Sequence, residues 1–189
     1  MKVKEILKLA CMMIGKEQTA AYLSGEHVAD KAVEEAETTK LLTAYGMALE
    51  RTAGEYEPLT AADVFSNAET VRFADFKERP MEIISVKDEM GDDVEFSIKI
   101  DGIAFNKPLP SVCVRYRYLP GSRDVESECD YGYGYKITPK VLAYGTAAEY
   151  LSIVGAHTAA EAWLGKYERG VRACLHPKGV LVLPKRRWY

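Results

Sequence analysis

Apolar residues recur every three or four positions from Val3 through Ile6, Leu7, Ala10, Met13 and Ile14, with Lys4, Glu5, Lys8 and Lys16 mostly on the other face. That spacing predicts an amphipathic helix over residues 3–14, stopped by Gly15. Residues 17–25 are too short to assign by period. The longest helical pattern follows, from about His27 to Gly54. Its apolar stripe runs through Val33, Ala36, Thr39 or Lys40, Leu41, Leu42, Tyr45 and Leu49, leaving Glu34, Glu35 and Glu37 outside. The acidic residues crowd its first half and Arg51 falls near its end, the polarity that a helix dipole favours. The weakly apolar first half is expected on a surface, either solvated or against another subunit.

At Pro58 the period changes. Residues 58–120 read as a strand-rich insert, with β-branched and aromatic runs at 81–89, 94–100, 103–106 and 112–119. Asp101-Gly102 between two runs is a hairpin signal. Val112, Val114, Tyr116 and Tyr118 alternate with Cys113, Arg115 and Arg117, the mark of a half-buried antiparallel strand with one largely basic face. A polar stretch without period, 121–136, ends at Thr138-Pro139, a threonine cap and first-turn proline that open a helix. Gly145, Ala148, Ser152 and Gly155 place small residues along one side of it. After Gly155-Ala156-His157, Thr158 and Glu161 have capping-box spacing for a second helix, which carries Trp163, Tyr167, Val171 and Cys174 on one stripe to about Leu175. The short connection predicts an antiparallel helical hairpin, packed against the long helix. The prolines of HPKGVLVLPKRRWY make the rest an extended arm. The fold class expected is α+β: one mainly helical domain over residues 1–176, an antiparallel β-rich insert at about 57–120, and a C-terminal arm at 177–189.

Composition narrows the function. A chain of 189 residues, 48% apolar and 28% charged, can build a core without disulfides or metal. Its net charge of −3 gives no electrostatic footprint for nucleic acid. Cys11, Cys113, Cys129 and Cys174 lie too far apart for a zinc knuckle or a redox pair, and Cys11 and Cys174 read as small core side chains. The opening MKVKEILKLACMMIGKE has the lysines of a signal peptide, but Glu5 and Lys8 interrupt its apolar run. No run approaches a membrane span, so the protein is expected in the cytoplasm. His27, His157 and His176 fall at a helix start, a turn and the start of the arm, without ligand spacing to one another. No phosphate loop, dinucleotide fingerprint or serine elbow occurs. These readings predict a non-enzymatic assembly protein without cofactor or metal.

Two segments invite binding. Tyr131-Gly132-Tyr133-Gly134-Tyr135 could stack on a sugar or base, which would make the chain a non-catalytic ligand-binding module, although Asp124, Glu126, Glu128 and Asp130 beside it repel phosphate. The arm sets Val180, Leu181, Val182 and Leu183 before Lys185, Arg186, Arg187, Trp188 and Tyr189. Exposed, such a strand is an aggregation hazard, so something should cover it. Its own strand layer and the edge strand of a neighbouring protein are both open.

The order of short helix, long acidic helix, β-rich insert, helical hairpin and extended arm resembles that of the head–tail connector (adaptor) proteins of tailed phages, including the tail-tubular A type. ITPKVLAYGTAAEYLSIVGAHTAAEAWLGKYERGVRAC (137–174) is similar to that family's closing pair of helices, with a tyrosine at Tyr167. VCVRYRYLP (112–120) is similar to the strand and tyrosine-proline exit before them, and MEIISVKDEMGDDVEF (81–96) to the family's strand-turn-strand. The resemblance implies a structural role in the virion, assembled in the host cytoplasm. Partners would be further copies in a ring, the portal protein and tail proteins, with DNA passing through without sequence-specific binding and no membrane. The acidic residues of the long helix could then line the channel. No catalytic residue is implied.

Overall fold

A computed structural model describes residues 1–121, 123–131 and 137–175. Its elements are α1 (Val3–Ile14), α2 (Glu17–Ser24), α3 (Lys31–Arg51), β1 (Leu59–Arg72), β2 (Pro80–Asp88), β3 (Phe96–Ile98), β4 (Gly102–Tyr118), α4 (Pro139–Ile153) and α5 (His157–Leu175). The fold is α+β with a four-stranded antiparallel sheet. The chain divides into two compact units. One is Met1–Tyr45 with the described residues from Asp124 onward, and is helical; the other is Gly46–Arg123 and carries the sheet.

In the helical unit α4 is the centre. From Val141 to Tyr150 every residue but Tyr144 is buried, and a helix buried nearly all round must be surrounded. It is flanked by α5 and by α1, with α2 folded back on α1. The backbone beside α4 is thus that of α1 more than that of the long helix expected there. It meets α5 closely at Gly170, where a Cβ would lie 2.8 Å from Val141 Cγ2. Helix ends follow local chemistry. Gly15 and Gly25 close α1 and α2 in the left-handed conformation that side chains resist. Asp30 Oδ1 accepts from the Ala32 and Val33 amides at 3.2 and 3.3 Å, which starts α3 later than its periodicity predicted. Thr138 and Pro139 hold their expected places, although the threonine hydroxyl makes no cap bond. Helix α5 begins at His157, one residue ahead of the expected threonine cap. Part of the polar stretch 121–136 is ordered against the start of α1. The Val3 and Lys4 amides, which have no partner inside their helix, donate to the Ser127 and Val125 carbonyls at 2.9 and 3.0 Å.

The long helix corrects its sequence reading. Its buried stripe in the helical unit is Glu34, Thr38, Leu41, Ala44 and Tyr45, while Val33 is 52% exposed and Ala36 is also exposed. The stripe is rotated from the expected one because its first half buries polar side chains that have partners. Glu34 and Glu37 therefore turn inward and only Glu35 remains outside.

In the sheet unit the strand order is β1-β4-β2, and β3 pairs with the other end of β4. The hairpin expected at Asp101-Gly102 joins β3 to β4. Gly102 lies so close to β1 that a Cβ would be 2.1 Å from the Val71 carbonyl oxygen. The runs 103–106 and 112–119 are one strand of 17 residues. Pro108 and Pro110 sit within it where pairing with β3 has ended at Phe105 and pairing with β2 begins only at Val112, so their missing amides cost little there. One face carries the core: Ala68, Val71, Phe76, Val86, Ile103, Phe105, Leu109, Val112, Val114 and Tyr116. Phe76, from the β1–β2 connection, covers it edge-on to Phe65 and Tyr116 at 5.0 and 4.9 Å between ring centres. That connection is pinned by Asp63, whose Oδ2 accepts from the Lys77 amide at 2.8 Å and from the Tyr116 hydroxyl at 2.7 Å.

Candidate interaction surfaces

The densest polar cluster lies among the helices. Glu37 accepts from Lys40 at 2.8 Å, from Lys16 at 2.9 Å and from the Tyr150 hydroxyl. Hydrogen bonds from Lys40, then Tyr150 and Lys16, hold its carboxyl down at about 2. Nearby, the Thr19 hydroxyl donates to Glu34 Oε2 at 2.7 Å, with both residues buried. Burial, then the charge of Glu34, pushes the Cys11 thiol up to about 12. Burial first, and Glu37 second, also raises the Tyr150 phenol. At neutral pH the thiol and phenol keep their protons and the Glu37 carboxylate is occupied by three donors. Such a cluster clamps the α1–α2 junction to α3 and α4; it offers neither a base nor a nucleophile.

Of the segments singled out in the sequence, the arm from Val180 to Tyr189 lies outside the described residues, as do Gly132–Tyr135 of the tyrosine-glycine loop. Tyr131 is 1% exposed, so its ring is core and not a stacking platform. Among the described residues no three His, Cys, Asp or Glu are grouped to hold a metal ion, and no helix is long and apolar enough to cross a membrane. A groove of about 960 Å³ opens on the helical unit beside Tyr22, Leu23, His27, Val28 and Leu42. On α4 and α5, Lys166 Nζ lies 3.7 Å above the Trp163 ring, which packs on Tyr144 at 5.6 Å.

The sheet presents more. Its outer face carries the rows Thr60–Arg117–Glu82, Ala62–Arg115–Ser85 and Val64–Cys113–Lys87 across β1, β4 and β2. The basic face expected there is partly neutralised, since Arg117 pairs with Glu82 at 2.7 Å. The outer strands differ, and β3 among them is only three residues long. The β2 edge begins with Pro80, carries Lys87 and is broken by two register shifts. From Leu59 to Ser66, β1 pairs with β4 in unbroken register on one side and, among the described residues, is the last strand of the sheet on the other. This stretch has no lysine, no proline and no bulge, the devices that protect an edge. Val64 on it is 67% exposed. Its one charge, Asp63, is spent on Tyr116 and Lys77. Periodicity alone does not isolate this strand, because Asp63 on the core face breaks the alternation of Leu59, Ala61 and Phe65.

Neither a protein-family model nor any curated protein matches the chain.

Proposed function

We propose that the chain is a structural subunit, a head-to-tail connector of a tailed phage or prophage that forms a ring between portal and tail in the virion. The observation that carries the reading is the contrast between a helical unit whose polar cluster is internally satisfied and a sheet unit in which, among the described residues, the outer side of β1 is unpaired. A subunit that repeats around a ring needs two different complementary surfaces. The β1 edge suits one of them, and the arm at 177–189, apolar and then basic, suits the other. The resemblance in element order supplies the class of assembly. Its partners are further copies, the portal protein and tail proteins, and DNA passes without base-specific contacts. With Glu34 and Glu37 turned inward, the first half of α3 supplies little acidic lining for a channel beyond Glu35.

Co-expression with the portal protein encoded nearest in the same genome tests the reading. The expected result is co-purification and ring-shaped particles by negative-stain microscopy. A chain that neither binds the portal nor adds copies in its presence overturns it.

A further inference from the structure

We infer that the β1 edge, Leu59 to Ser66, is the acceptor for the segment Val180-Leu181-Val182-Leu183 of a neighbouring copy, which adds to the sheet as a further strand beside β1. The inference rests on the ring reading and names the contact that would build it.

Three observations converge on this occupant. The first is the edge itself. A strand at the end of a sheet leaves alternate backbone amides and carbonyls unpaired, and these are a template for an added strand. Of the outer strands, β2 is guarded by Pro80, Lys87 and its register shifts and β3 is only three residues long, whereas β1 from Leu59 to Ser66 is neither guarded nor short. The acceptor is eight residues of regular register, twice the length of the VLVL run, which Gly179 and Pro184 bound.

The second is side-chain chemistry. Thr60, Ala62 and Val64 stand exposed on one face of β1, small or β-branched. Valine and leucine of an added strand would pack beside them, and each exposed apolar group would cover the other.

The third is charge. On either side of Leu59–Ser66, residues 50–58 and 67–70 hold four acidic residues, Glu50, Glu55, Glu57 and Glu69, and a single basic one, Arg51, which pairs with Glu55 at 3.9 Å. Residues 176–189 hold Lys178, Lys185, Arg186 and Arg187 and no acid. An arm whose apolar run lies on β1 brings its cations to the acidic residues at the ends of that strand. The 14 residues beyond Leu175 reach at most about 50 Å when extended, long enough to leave one subunit for the next. Donor and acceptor are different surfaces of one chain, so each copy can give one strand and take another, and such contacts close into a ring.

Two full-length variants test the contact. Val64→Lys puts a charge on the acceptor at an exposed position. Leu181→Pro with Val182→Pro removes two adjacent amides, which point to opposite sides, so at least one ladder bond is lost in any register. Mass photometry should show the unsubstituted chain assembling beyond a monomer and each variant alone as a monomer, with the two monomeric variants melting at the same temperature. Mixed one to one, the variants should form a dimer and nothing larger, since one retains a sound arm and the other a sound edge. A monomeric unsubstituted chain, or a Val64→Lys chain that assembles normally, overturns the inference. So does a Val64→Lys monomer beside a double-proline variant that still dimerises, which would make the neighbour's own β1 the occupant. Portal binding by a chain whose assembly ignores Val64→Lys would sink the strand addition and leave the connector reading standing. Strand-dependent assembly without portal binding would do the reverse.

Discussion

The helical unit and the sheet unit solve the same problem with opposite consequences. Helices satisfy their backbone internally, so the helical unit needs only to bury side chains, and α4 is enclosed on nearly every side. Even its polar residues are consumed: Glu34 by Thr19, Glu37 by Lys40, Lys16 and Tyr150. A sheet satisfies its backbone sideways and cannot finish the job at its outer strands unless it closes into a barrel. The sheet unit covers its core face with Phe76 and the Asp63–Tyr116 pin, yet among the described residues no strand pairs with the outer side of β1. The element that sequence patterning renders least clearly is therefore the one with unspent bonding capacity.

The comparison can be broken first in the helical core. Leu142, fully buried on α4, should cost about 2–5 kcal/mol when changed to alanine. Hydrogen exchange should show protection lost over residues 1–45 and 124–175 and kept over 59–118. Equal loss in both would show that the two units unfold as one. The converse substitution is Gly102→Ala. Its Cβ would meet the Val71 carbonyl oxygen, and a backbone atom cannot swing aside as a side chain can. A cost of about 1–3 kcal/mol is expected, with exchange rising in β1 and β4 and not in α4.

A pH titration separates the units further. The Glu37 carboxyl is held at about 2 in the fold against an ordinary 4.5. A depressed carboxylate stabilises the fold fully above its unfolded value, and that contribution is lost as pH falls from about 5 towards 2. Glu37→Gln should flatten this acid loss in the helical unit and leave the pH dependence of the sheet unit unchanged; an identical acid limb for both proteins would assign the loss to other groups. The smallest effect belongs to the sheet. Tyr116→Phe removes the hydroxyl that joins Asp63 to the Glu78 amide, at 2.7 and 3.2 Å, and should lower stability by about 0.5–1.5 kcal/mol in denaturant melts. A loss twice that size would mean that the hydroxyl organises the whole β1–β2 connection.

The sequence by itself determined the elements whose chemistry is local. The period of Val3 to Ile14, the glycine stop at Gly15, the threonine-proline start of α4, the hairpin at Asp101-Gly102 and the alternation of Val112, Val114 and Tyr116 all reappear in the fold. Each depends on neighbours a few positions away. What only the tertiary structure decided is which polar groups are worth burying and which strand stays bare. Glu37 reads as a solvated residue until Tyr150, 113 positions along the chain, donates to it. Asp63 reads as a break in a strand until Tyr116 and Lys77 supply its hydrogen bonds. Burying a carboxylate costs several kcal/mol unless partners meet it, and those partners come from elements that sequence spacing does not relate. The open edge of β1 is likewise a property of strand order, not of residues 59–66 alone, because those same residues would be protected if β2 lay on their other side.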